Sequence, residues 1–160
     1  TLTSRGLFER VARTCMASPR VLEIKKHLVA KGILVYRSGT EDVLLAERVR
    51  DNLIMDASVA VIAGEPLRVR FLARAQRNDF PWSQENPAAL FERARRKVAE
   101  AAANGFREVG TMTTPLLDPV DAEQVLDVWY QVAFEKDVTD LDDAVSTAKY
   151  ALELDKVALR

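Results

Sequence analysis

The chain has 160 residues, of which 48 % are hydrophobic and 29 % charged, with six Gly and six Pro. That is enough for a sizeable core, excludes a disordered or low-complexity chain, and predicts one compact unit. No apolar run approaches the roughly 20 residues of a membrane-spanning helix, so no membrane partner is expected. The single cysteine, Cys15, excludes an internal disulfide and a cysteine zinc site. The one histidine, His27, cannot make a metal site alone. The expectation is an intracellular protein, cytoplasmic by preference. Its opening is rich in Arg, Ser and Thr and lacks the apolar stretch of a secretory signal, which leaves organelle import open.

The net charge of −1 conceals a strong polarity. Residues 1–37 hold eight basic against two acidic residues, a net of +6, whereas residues 118–155 hold two basic against eleven acidic, a net of −9. Such a layout suits a basic surface meeting an acidic partner, or copies that attract one another.

Two helices are expected first. Residues 4–14 place Leu7, Phe8, Val11 and Ala12 on one face. In the second helix Ser18 is the N-cap, Pro19 stands at the first position, Val21, Leu22, Ile24, Leu28 and Val29 are apolar, and Gly32 is the stop. Residues 33–37 read as a short strand. Residues 41–55 read as a third helix with Val43, Leu44, Val49, Leu53 and Ile54 inward. Two β-prone runs around Ala63, Gly64, Glu65 and Pro66 predict a hairpin. Its second strand carries Leu67, Val69, Phe71, Ala73 and Ala75 on one face and Arg68, Arg70, Leu72 and Arg74 on the other. Asn86 and Pro87 start a helix that ends at Asn104 and Gly105. Residues 106–117 and 125–136 are β-prone. In the latter run Leu126, Val128, Tyr130, Val132 and Phe134 alternate with Asp127, Gln131 and Glu135, which turns Trp129 to the other face. A last helix starts near Thr139 or Asp140.

These elements predict an α+β protein with an antiparallel sheet, packed helices and an N-terminal helical pair. From Leu67 onward the order strand, helix, strand, strand, helix is most of a split βαβ, partly ferredoxin-like unit. Residues 1–57 form a basic helical region and residues 58–160 the sheet domain.

Two constellations could bind an acidic polymer or partner. The helical pair followed by "GILVYR" resembles the winged helix-turn-helix family in element order, although Met16 stands in the turn where glycine is usual. That resemblance implies DNA contact through residues 18–31. Arg13, Arg20, Lys25, Lys26 and Lys31 are the candidate contacts with nucleic acid or an acidic protein. On the sheet, Arg68, Arg70 and Arg74 beside Trp129 could join phosphate contact to base stacking. Asp127 and Glu135 on the same face favour instead a salt-bridged surface with Trp129 as an interface anchor, together with Arg68 and Arg70. The acids Asp137, Asp140, Asp142 and Asp143 lack the spacing of a Ca²⁺ loop and suit a helix N-terminus. Asp118 and Asp121 read as turn residues. No catalytic residue, metal site or cofactor is assigned. The leading expectation is a non-catalytic binding or assembly subunit whose basic helices engage an acidic partner, either another protein or a second copy. The alternatives are a DNA-binding protein that dimerises through its sheet, and a small enzyme with a dispersed site.

Overall fold

Pro19 has the fixed φ that suits a first helical turn, and the Ser18 side chain accepts a hydrogen bond from the Val21 N–H at 3.2 Å. Helix α1, Pro19–Ala30, therefore starts where the sequence predicts, in a computed structural model that describes residues 18–80 and 86–158. It buries Val21, Ile24 and Leu28, while Leu22 and Val29 stay exposed. Gly32, at φ +84°, turns the chain out of the helix in a conformation that side chains resist. The predicted helix over residues 4–14, and with it Arg13 and Cys15, lies outside the described residues.

Strand β1, Val35–Ser38, comes next, followed by β2, Asp42–Arg50, and β3, Leu53–Ile62. The expected helix over residues 41–55 is thus overturned. Arg50 pairs with Leu53 across Asp51 and Asn52, residue types that tolerate the tight turn of a two-residue hairpin. Val43 and Leu45 go into the core at a spacing of two, and the run takes strand geometry because β3 pairs with it from Asp42 to Arg50 while β1 pairs with Val43 to Leu45 on the other side. Val49, Leu53 and Ile54, expected inward, are exposed on the projecting end of this hairpin.

Strand β4, Arg68–Gln76, shows the predicted alternation without fault: Val69, Phe71, Ala73 and Ala75 are buried, and the residues between them are half-buried. A 3₁₀ turn, Arg77–Asp79, leads on towards α2, Pro87–Lys97, which Asn86 caps through the Ala89 N–H. The helix expected to run on to Asn104 breaks at Val98 and resumes as the short α3, Ala99–Ala103. Strands β5, Arg107–Leu117, and β6, Val125–Asp137, and helix α4, Leu141–Ala158, complete the described residues.

The fold is α+β, and among the described residues it has a six-stranded, open, antiparallel sheet in the order β1-β2-β3-β4-β6-β5 and four α-helices. α1 packs on β1 and β2, α4 on β3 and β4, and α2 on β4 and β6. Their apolar residues join one core with Val43, Val59, Val61, Val69, Phe71, Val132 and Phe134, so the described helices share one face of the sheet. The other face is open among the described residues. The boundary expected after residue 57 falls inside β3, and one sheet runs through both halves.

Candidate binding surface

Burial of Val21, Ile24 and Leu28 turns the basic side of α1 outward. Arg20 pairs with Glu23 at 3.0 Å, while Lys25, Lys26 and Lys31 are exposed and make no ion pair among the described residues. His27 is not part of this basic face: its Nε2 lies 2.9 Å from Asp142 Oδ1, tying α1 to the start of α4.

On the open sheet face the three arginines of β4 are each engaged. Arg68 meets Glu135 at 3.3 Å, Arg70 lies 3.8 Å from Asp42, and Arg74 donates to Ser58 Oγ at 3.1 Å. The Arg74 guanidinium also sits over the Trp129 ring, 3.9 Å from its centroid. Trp129 is consequently half-buried, and its indole Nε1 is shielded with no acceptor among the described residues. Glu135 supplies the expected neutralising charge. Asp127 does not: it is buried, and its carboxylate accepts from the backbone N–H groups of Asn78 and Val128 at 3.1 and 2.7 Å. The arginines and Trp129 therefore form an internally compensated surface rather than a free cationic platform. Beside it, Arg70, Leu72, Gly110, Met112, Gln131 and Ala133 line a shallow depression of about 270 Å³.

The acids near the last helix are structural in arrangement. Asp140 Oδ1 accepts from the Asp143 N–H at 2.8 Å, and Asp143 Oδ2 accepts from the Thr139 N–H at 2.9 Å. This reciprocal pattern satisfies otherwise orphaned donors at the α4 N-terminus. Asp118 and Asp121 accept backbone N–H bonds in the β5–β6 turn. Among the described residues no three His, Cys, Asp or Glu side chains are grouped to hold a metal ion.

The two edges of the sheet differ sharply. β1 has four residues and α1 packs against it. β5 has eleven, none buried and only Thr114 half-buried, with Val109, Met112, Leu116 and Leu117 exposed. Long edge strands normally carry charges, above all Lys, to discourage pairing with another chain. β5 has only Arg107 and Glu108, and both are quenched from within. Arg107 meets Asp137 at 3.1 Å. Glu108 receives a two-pronged bond from Arg95 at 2.6 and 3.2 Å. The hydrogen bonds to Glu108 and then Glu92 raise the Arg95 pKa above its ordinary value.

Sequence reasoning did not single out this edge, nor the apolar hairpin ends. Leu116, Leu117, Val120, Val125 and Leu126 cluster along one hairpin, with Val120 97 % exposed, and Val49, Leu53, Ile54 and Met55 along the other. The uncharged run from Val109 to Leu117 was the available signal. A second groove, of about 560 Å³, lies between the segment just before β1, the middle of β2 and α4, lined by Leu34, Ala46 and Leu152 with both basic (Arg48, Lys149) and acidic (Glu47, Glu153) residues.

No described helix is long and apolar enough to cross a membrane. Compared with known protein families, with curated proteins and with solved structures, the chain has no match.

Proposed function

We propose that this chain is a non-catalytic binding or assembly subunit. The observation that carries the reading is β5: an eleven-residue edge strand, open along its outer side among the described residues, apolar in character and stripped of free charge. Exposed edges of this kind bind other chains by strand addition. The outward lysines of α1 and its C-cap support a second element of the reading, contact with an acidic partner through Lys25, Lys26 and Lys31. The succession β4, α2 and α3, β5, β6, α4 further supports viewing this half as a split βαβ, partly ferredoxin-like unit to which β1 to β3 are added.

The test is light scattering of the purified chain, alone and with polyglutamate or mixed-sequence duplex DNA, at low and moderate salt. The reading expects self-association, or capture of polyglutamate that Lys25→Glu with Lys26→Glu removes. Retention of DNA in preference to polyglutamate, with a steep salt dependence, would favour a nucleic-acid function instead. A monomer that retains neither probe overturns the proposal.

A further inference from the structure

We infer that the partner at the β5 edge is a second copy of this chain, paired antiparallel about a two-fold axis through Met112, so that two six-stranded sheets become one. The inference rests on the assembly reading above and gives it an occupant.

The direction of each backbone group in β5 follows from one hydrogen bond. The Val138 N–H donates to the Leu67 carbonyl at 2.9 Å, and the β4–β6 register runs unbroken from Arg68 and Asp137 to Gln76 and Trp129. Bonding direction alternates along an antiparallel strand. Residues Tyr130, Val132 and Phe134 therefore bond towards β4, and Trp129, Gln131 and Ala133 bond towards β5. Their β5 partners are Thr114, Met112 and Gly110, which turn inward. Thr111, Thr113 and Pro115 must then turn their backbone groups to the open edge. Pro115 has no N–H, and it stands where the fold requires none.

This outward pattern is self-complementary. With Met112 on the axis, Thr111 faces Thr113 of the second copy, and Thr113 faces its Thr111. Each pair exchanges two N–H to carbonyl bonds, four in all, with threonine side chains adjacent on the helix-bearing side. The irregular residues also match, since Val109, at the shift in the β5–β6 register, lies opposite Pro115. Displacing the register towards the strand's C-terminus brings Glu108 towards Asp118 of the second copy, a like-charge contact. Displacing it the other way sets the irregularity at Val109 against Thr113. The central register has neither fault. Arg107 and Glu108 are already paired within each copy, so the seam gathers no uncompensated charge.

A seam of this length falls short of the roughly 1,200–2,000 Å² of a standard interface, so the dimer should dissociate on dilution through about the micromolar range. The test is light scattering of the full chain over a dilution series, with Met112→Glu beside it. A second probe is Met112→Cys in a Cys15→Ser background, oxidised in parallel with Val120→Cys. Met112 is half-exposed and lies on the open face, so glutamate there leaves the subunit core intact. The expected result is a mass of twice 17.9 kDa that falls to 17.9 kDa in Met112→Glu. Met112→Cys should form a covalent dimer well above the Val120→Cys control, because residues on the axis lie about 4.5 Å apart between Cα atoms, within disulfide range. A dimer that ignores Met112→Glu and gives no disulfide at position 112 overturns β5 pairing while leaving the assembly reading in place. A monomer throughout the series also overturns it, and the acidic-probe measurement then decides the broader reading.

Discussion

The acid group at the start of α4 separates a structural from a functional explanation most sharply. Asp140 accepts one bond from the Asp143 N–H at 2.8 Å and stands at the positive end of an 18-residue helix. Loss of such a cap costs about 1 kcal/mol, and loss of a carboxylate at that position roughly 0.3–1 kcal/mol more. Asp140→Ala should therefore destabilise by about 1–2 kcal/mol. For a domain of this size that lowers Tm by roughly 3–6 °C. Asp140→Asn retains the acceptor oxygen and loses only the charge, so its shift should be smaller, about 1–3 °C. Both are read by thermal unfolding followed by circular dichroism, repeated with millimolar Ca²⁺ or Mg²⁺. The capping argument expects the divalent ions to leave the wild-type Tm in place. A rise of several degrees that disappears in Asp140→Ala would refute it and make the cluster a cation site, since a ligand that binds only the folded state must stabilise it.

Two further substitutions probe the core and the first loop. Phe71 is 1 % exposed and sits between Val59 of β3 and Phe134 of β6. Phe71→Ala should cost about 3–5 kcal/mol, seen as a lower urea midpoint at unchanged slope, and a loss below about 1 kcal/mol would contradict its central place. Gly32 has φ +84° and open space where a Cβ would stand. Gly32→Ala should therefore lose about 1–2 kcal/mol of stability through backbone strain alone, and Gly32→Asn less, because asparagine tolerates that region.

Much of the local structure was legible because it depends on neighbours in sequence. Ser18 and Pro19 mark a helix start by their own chemistry, and Asn86 with Pro87 does the same for α2. The two-residue period of β4, with four buried residues set between half-buried ones, survives any tertiary context that covers one face. The acids around Asp140 were also readable, because a helix N-terminus attracts carboxylates wherever it lies. Residues 41–55 failed for the complementary reason. Val43, Leu44 and Leu45 fit either period, and a short turn at Asp51 and Asn52 with a waiting partner strand decided between them.

The sequence by itself determined an α+β chain with a basic start, an acidic end, capped helices and at least one half-buried strand, since composition, period and capping are local properties. Strand order is not local. That β6 inserts between β4 and β5 decides that β5, rather than a hairpin neighbour, becomes the long open edge. The same arrangement lets Asp137 and Arg95 neutralise the only two charges of that strand, and sets Arg74 over Trp129. These contacts join residues up to 55 positions apart, as Arg74 and Trp129 are. Only burial of a shared core brings such segments together, and it is this packing that leaves β5 as the long edge of the sheet.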